Sequence, residues 1–249
     1  MQGPGGREVY RPLPHQQCTG SVWTQQTHTG TNHIYLRLAV MKAFHGDPKI
    51  KAKYLTRLTA HYNADEIVQG QYWENGKGGA VGCTVHSEKH SDYESELGIP
   101  SILAHFQDRI FERLPNELAK EFPIEFLSAI NVGADLTKVG KLFIIWILTD
   151  HEYGVLQFAK DKKVVQDVAD AYKQEMISPV PVEKWRQLTK DAFDSGSHAA
   201  AVAALYVYTA LSNPVYGIAV IAYTGPCTAP KQWYTAAAKK LIELLTETY

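Results

Sequence analysis

The residues best suited to chemistry lie in one segment, residues 70–100, which reads GQYWENGKGGAVGCTVHSEKHSDYESELGIP. Cys83 is followed by His86 and His90, and Glu94 comes four residues after His90. If these residues formed one helix, the two imidazoles and the carboxylate would repeat every four residues and share a face. Because two histidines at this spacing commonly bind one divalent metal, the pattern predicts a metal site of His86, His90 and Glu94, with Cys83 as a fourth ligand.

The same letters support a second interpretation without a metal. Ser91 and Glu94 have the spacing of a capping box, which would begin a new helix at residue 92 and break the shared face. Glu94 would then bond a backbone N–H group instead of a cation. No second chelating cluster accompanies the Cys-x2-His-x3-His pattern, so it is not a zinc-finger signature.

Cys83 is also a candidate nucleophile. A thiol that follows a glycine loop and precedes a helix would lie near backbone N–H dipoles that favour its thiolate. His86 or His90 would act as its base, and Glu94 or Asp92 would orient that base. The opposing hypothesis is a packed and inert thiol, because cysteine is among the most frequently buried residue types.

The glycine-rich stretch at residues 75–82 offers a third hypothesis, phosphate or nucleotide binding by backbone N–H groups. It is neither a Walker A loop nor a dinucleotide fingerprint, since no Gly-Lys-Ser/Thr ends it and no apolar strand precedes it. The Asn75-Gly76 pair predicts a tight turn in any case. The candidate ligand-binding residues are Trp73, Lys77, Gly78, Gly79 and Gly82. His61 and Asp65, one helical turn apart and ahead of the loop, are further candidates, unless they form an ordinary surface pair.

The stretch YWENGKGGAVGCTVHSEKHSDYESELGIP, continuing to DRIFERLPN, resembles a segment of uncharacterised bacterial and phage-associated proteins. The resemblance covers residues 64–135 and implies no activity, cofactor or catalytic residue. It suggests that relatives often carry cysteine where this chain has Gly79. A metal or redox role that needs a thiol at that position is therefore in doubt here.

Composition excludes several function classes. The chain has 249 residues and a formal net charge of −1, without the basic imbalance of a protein that binds nucleic acid through its bulk field. The odd number of cysteines, three, predicts a reducing, cytoplasmic setting without a disulfide framework. The N-terminal residues have no apolar core of a secretory signal. The apolar runs at 199–211 and 215–223 are too short to span a bilayer.

The pattern along the chain predicts an all-α, multi-helix bundle in residues 32–249, preceded by an irregular arm in residues 1–31. Asp47-Pro48 predicts a helix start, and so does Pro100. Periodicity and these signals predict helices at 32–45, from 48 to about 69, and at 100–115, 123–130, 160–176, 181–193, 197–211 and 229–246. Residues 142–148 are apolar all round and fit a buried helix or a strand. A few short strands are also expected near the N-terminus. The proline-rich residues 178–181 are the best candidate for a weak lobe boundary.

Two function classes follow. In the first, the loop at residues 76–94 is the binding site for a small molecule or a protein, and Cys83 is merely packed. In the second, the chain is an enzyme, with Cys83 as nucleophile and His86 or His90 as base. We favour the binding protein, because the enzyme needs three independent assumptions. We expect neither a membrane nor a nucleic-acid partner, and we regard the uncharged residues 195–230 as a candidate face for a homo-oligomer.

Overall fold

The protein is described by a computed structural model, which covers residues 41–197, 200–201, 203–204 and 231–248. These residues belong to one compact unit, Ala39–Tyr249. Besides two short 3-10 helices at Ala43–Gly46 and Val155–Gln157, the elements with defined bounds within them are nine α-helices and a two-stranded hairpin, so the predicted all-α fold is confirmed. In chain order they are α1 Pro48–Asn63, β1 Trp73–Glu74, β2 Lys77–Gly78, α2 Ala80–Val85, α3 Asp92–Leu97, α4 Ser101–Phe111, α5 Asn116–Ala129, α6 Val139–Thr149, α7 Lys162–Glu175, α8 Val182–Asp194 and α9 Lys231–Thr246.

Several predictions concern residues outside the described ranges. They are the N-terminal arm at 1–31 with its expected strands, the part of the predicted helix 32–45 that precedes residue 41, and most of the uncharged residues 195–230 with their proposed association face. Cys18 and Cys227 also lie outside these ranges.

The start of α1 follows the predicted signal. Asp47 is the N-cap, its carboxylate accepts a hydrogen bond from Lys49 N at 2.8 Å, and Pro48 occupies the first helical position. The helix expected to continue to residue 45 is not found there. Residues 43–46 form a short 3-10 turn in which Phe44 and His45 have left-handed backbone angles, with φ of 53° and 51°.

The helices that follow differ from the predicted bounds mainly at the start of α5. α4 begins directly after Pro100, and α5 begins after Pro115 rather than at Pro123, which lies buried within α5. Residues 142–148, which fitted helix or strand, are part of α6. The connector 178–181 joins α7 to α8, which pack against each other. The lobe boundary there stays a prediction.

One apolar core joins these helices. α6 packs against α7, α9 packs against α5 and α6, and α1 packs against α5 and α2. Phe106 and Phe143 meet inside it with ring centroids 4.9 Å apart. None of the helices in the described residues has the length and apolar content needed to cross a membrane. The bundle leaves α1, the hairpin, α2 and α3 close together, and these elements build the candidate site.

Candidate functional site

The C-terminal end of α1 supplies the first side chains of the site. α1 ends at Asn63, although its periodicity predicts a helix to about residue 69. Asp65 then adopts a left-handed conformation with φ of 55°, which turns the chain back so that Glu66 N bonds to His61 O at 2.9 Å. This reversal places the Glu66 carboxylate on the imidazole of His61. Asp65 points elsewhere and pairs with Lys120.

The glycine-rich stretch forms the next part. Asn75 and Gly76 are the turn of an antiparallel hairpin in which Trp73 pairs with Gly78, and both turn residues have positive φ, as the Asn-Gly pair predicts. Gly79 then caps the buried helix α2. Gly82, inside α2, packs directly against the chain at Tyr72: a Cβ at residue 82 would lie 1.9 Å from Tyr72 O.

This packing contradicts the predicted phosphate cradle. The N–H of Gly78 donates to Glu66 O at 3.0 Å, and the N–H of Gly79 donates to Gln71 O at 2.7 Å. These two N–H groups are therefore already hydrogen-bonded within the protein and are not available to a phosphate. The glycines instead allow two backbone segments to approach each other closely. Of the predicted ligand contacts, Lys77 stays exposed on β2 and Trp73 remains a partly exposed wall of the site.

A hydrogen-bonded chain of three side chains links the partly exposed Glu66, through the buried His61, to the exposed His86. His61, whose side chain is 11% exposed, contacts Glu66 Oε2 through Nδ1 at 2.6 Å and His86 Nε2 through Nε2 at 2.8 Å. Since a carboxylate only accepts hydrogen bonds, His61 Nδ1 carries the proton. In the neutral ring Nε2 is then the acceptor, so His86 Nε2–H donates. His86 Nδ1, with no partner among the described residues, is left as a free base.

His86 is held in this orientation by its backbone and by Trp73. It is the left-handed C-cap of α2, with φ of 56°, a conformation uncommon for residues other than glycine. Its ring stacks on Trp73 with centroids 4.3 Å apart and planes 10° apart, while the residue stays exposed to solvent. Desolvation of the ring lowers the pKa of His86. The charge of Arg57, and that of His61 when it is protonated, lowers this pKa further, against the opposing effect of Glu96 and Glu66.

A cation and a carboxylate border this chain of histidines. Arg57 on α1 donates from Nη1 to Thr84 O at 2.8 Å, and its guanidinium lies over the ring of Tyr54, 5.0 Å from the centroid. Tyr54 OH donates to Glu96 of α3. Burial and the hydrogen bond to Glu96 raise the pKa of Tyr54 to about 12, so this phenol stays protonated.

Cys83 does not fit the predicted nucleophile. It lies in the fourth position of α2, is 0% exposed, and its Sγ donates to the carbonyl oxygens of Gly78 at 3.2 Å and Glu66 at 3.5 Å. Burial raises the pKa of the thiol to about 12, and the charge of Glu66 acts in the same direction. A thiol that stays protonated and has no solvent access is a packed residue, as the opposing hypothesis stated.

The predicted metal ligands are also separated, because residues 83–96 are not one helix. α2 ends at Val85, and α3 begins at Asp92. His90 contacts Asp108 Oδ2 at 3.2 Å and stacks on His105, 3.9 Å between centroids. In the described residues, no three His, Cys, Asp or Glu side chains come together in a group able to hold a metal.

Glu94 has a structural task in this arrangement. A helix does begin at Asp92, after Ser91, as the capping-box spacing predicted. The box itself is absent, however, since the Ser91 side chain makes no cap bond and Glu94 Oε1 accepts from Ser101 N at 2.8 Å. Glu94 therefore supports the first turn of α4 and does not ligate a cation or orient a base.

The structure thus unites two residues that the sequence singled out, His61 and His86, with one, Trp73, that was predicted as a ligand contact. It adds Glu66, Arg57 and Glu96, which the sequence analysis missed. Glu66 lies five residues after His61, a spacing that no helix face predicts, and it reaches His61 only because the chain reverses at Asp65. From the sequence alone, Arg57 is indistinguishable from the other exposed charged residues of an amphipathic helix.

These features define an all-α protein with a carboxylate–imidazole–imidazole chain that opens on its surface. Comparison of the sequence with family models and curated proteins, and of the structure with solved structures, gives no match. The resemblance to uncharacterised bacterial and phage-associated proteins stays a prediction.

Proposed function

We propose that residues 76–94, together with the end of α1, form the binding site of a small ligand, and that His86 exchanges a proton with that ligand. The observation that carries this proposal is the chain from Glu66 through His61 to His86, which ends in a free imidazole nitrogen at the surface. Two histidines that served packing alone would both be buried. His86 is instead exposed to solvent and stacks on the partly exposed Trp73.

The chain of hydrogen bonds suits a general base. The lowered pKa of His86 keeps its ring neutral near pH 7, so Nδ1 is available to accept a proton from a bound molecule. The imidazolium that results donates through Nε2 to His61, whose Nδ1–H is in turn held by the Glu66 carboxylate. In the reverse direction the same His86 proton returns to the ligand, so the site can act as acid or base.

Trp73 supplies the surface on which a ligand can rest. It is half-buried against His86 on one side, and the neighbouring Tyr72 is 63% exposed. Aromatic rings that are fixed and partly exposed provide contact area at low cost in conformational entropy. A ligand that contacts Trp73 therefore lies within reach of His86.

Cellular setting belongs to the same proposal. We place the protein in the cytoplasm, because its cysteines are odd in number and Cys83 is a free, buried thiol. We also propose a bacterial or phage-associated origin. We further propose a homo-oligomeric state, which a measurement of the molecular mass in solution tests.

The experiment that tests the site is site-resolved acylation of histidine by diethylpyrocarbonate, which reacts with unprotonated imidazole. Peptide mass spectrometry of the full chain at pH 6.0 would give separate rates for His86 and for His151, whose side chain is 93% exposed. We expect His86 to react several-fold faster than His151, because its lowered pKa leaves more of the neutral ring and the chain to Glu66 stabilises the developing charge.

Variants test whether the reactivity of His86 depends on its hydrogen bonds to His61 and Glu66 or only on its exposure to solvent. Glu66→Gln and His61→Gln should slow the reaction of His86 several-fold, whereas Glu74→Gln, an exposed carboxylate on β1, should leave it unchanged. Equal rates at His86 and His151 in the wild type, or no response to Glu66→Gln, would contradict an activated base at His86.

A further inference from the structure

Arg57 is fixed in place beside His86 without a negatively charged partner. Its Nη1 donates to Thr84 O at 2.8 Å, and its guanidinium is stacked over Tyr54. These two contacts hold the planar group in one orientation and use only one of its five N–H donors. Among the described residues, no carboxylate forms an ion pair with Arg57, and the residue is only partly exposed.

The two carboxylates that act on His86 together with this arginine are hydrogen-bonded to other groups. Glu96 accepts the hydroxyl proton of Tyr54, and Glu66 accepts the Nδ1 proton of His61. Their charges act on His86, as do that of Arg57 on α1 and that of His61 when it is protonated. A partly buried guanidinium that is held in one orientation and has unused donors is suited to bind an anion.

We propose that Arg57 binds the carboxylate or phosphate group of an acidic ligand and thereby holds that ligand against His86 and Trp73. This inference rests on the proposed function and names the chemical class of its ligand. The guanidinium presents a fork of parallel N–H groups that matches either oxyanion with two hydrogen bonds. The imidazole of His86 then faces the part of the ligand next to its anionic group.

The location also links the ligand to the state of His86. Arg57 is one of the groups that lower the pKa of His86. An anion on Arg57 offsets that positive charge, so binding should raise the pKa of His86 and favour its protonated form. Glu66 and Glu96 already act in this direction, and the bound anion adds to them.

The test is an NMR titration of the isotopically labelled full chain with sodium acetate and, separately, with sodium phosphate, against sodium chloride of equal ionic strength. The signals to follow are Arg57 Nε–Hε and the His86 ring. We expect saturable shifts of both signals with acetate, with phosphate or with both, and an upward move of the His86 titration midpoint at saturation. Saturable shifts with acetate alone would assign a carboxylate ligand, and saturable shifts with phosphate alone would assign a phosphate ester. Saturable shifts with both anions would indicate a site that binds either oxyanion without selectivity.

Arg57→Lys keeps the charge but loses the fork, so it should weaken saturable binding about tenfold. Arg113→Gln, an exposed arginine beyond the end of α4, is the matched control and should bind as the wild type does. Shifts in the wild type that stay linear and equal those in chloride would overturn the proposal whatever the variants do. An equal loss in Arg113→Gln would overturn it as well. If His86 still shows acylation that depends on Glu66, only the ligand class fails and the proton-exchange site stands.

Discussion

Burial decides the chemistry of individual residues in this protein. Cys83 and His86 are three positions apart in the sequence. The thiol is nevertheless buried and donates to the carbonyl oxygens of Gly78 and Glu66, whereas the imidazole is exposed to solvent. His105 shows the same effect in a histidine. It is 8% exposed, its Nδ1 has no hydrogen-bond partner in the described structure, and desolvation with a smaller effect from His90 lowers its pKa to about 3.

His105 should therefore make the folded protein sensitive to acid. Its pKa is lower in the folded state than in the unfolded chain, so stability from its neutral form is present above about pH 6.5 and is lost as the pH falls toward 3. Over that window the free energy of unfolding should drop by up to about 1.4 kcal/mol per pH unit from this group. Urea unfolding at pH 7.5, 6.0 and 5.0 measures the slope.

His105→Leu should flatten that slope, because the unfolded variant no longer gains the proton. His151→Leu, at a site 93% exposed, is the control and should keep the wild-type slope. A slope in His105→Leu equal to that of the wild type would show that other groups cause the acid sensitivity.

At the scale of elements, the hairpin and α2 form the support of the candidate site. α2 has six residues, all buried, and it lies against the segment that carries Tyr72 and Trp73. That approach is possible only because residues 78 and 82 have no side chain: a Cβ at residue 78 would lie 2.2 Å from Tyr72 O. The stack of Trp73 on His86 depends on this contact.

Gly82→Ala should destabilise the protein by about 3 kcal/mol or more, because the new methyl group meets a backbone oxygen that cannot move away alone. The urea midpoint and the yield of folded protein measure the effect. Gly140→Ala in α6 is the control: its nearest neighbour is a side-chain carbon of Ile102 at 3.2 Å, which can shift. Alanine's higher helix propensity offsets that strain, so a change within about 1 kcal/mol is expected. Similar losses in both variants would refute the close-approach argument.

At the scale of the whole molecule, α9 joins the C-terminal residues to the centre of the bundle. It packs against α4, α5 and α6, and Trp233 Nε1 donates to Tyr153 O at 3.1 Å. Leu241 of α9 is 0% exposed. Since α9 and the helices before it share one core, they should unfold together.

Leu241→Ala should lower the free energy of unfolding by about 2–5 kcal/mol, through lost burial and the cavity that remains. The shift should be equal by far-UV circular dichroism and by tryptophan fluorescence. Lys239→Ala, on the exposed face of the same helix, should change stability by less than about 0.5 kcal/mol. Two separate transitions in Leu241→Ala would show that α9 is a unit apart from the core.

Much of the fold was predictable because its signals are local. Asp47-Pro48 capped α1, Pro100 preceded α4, and the apolar periodicity placed α4, α7 and α8 within a few residues. The end of α1 and the start of α5 were missed, because a left-handed Asp65 and a proline tolerated inside a helix follow from packing and not from propensity.

The sequence by itself determined that this chain is helical, that a turn lies at Asn75-Gly76, and that the chemistry-bearing residues cluster around it. Only the tertiary structure decided which of them meet. Residues 83–96 break into two helices, so His86 turns to His61 and Trp73 while His90 turns to His105 and Asp108. Periodicity reports which residues share a face of one element, whereas a contact between elements depends on how their cores pack. For that reason Glu66 and Arg57, which complete the site, carried no signal in the sequence.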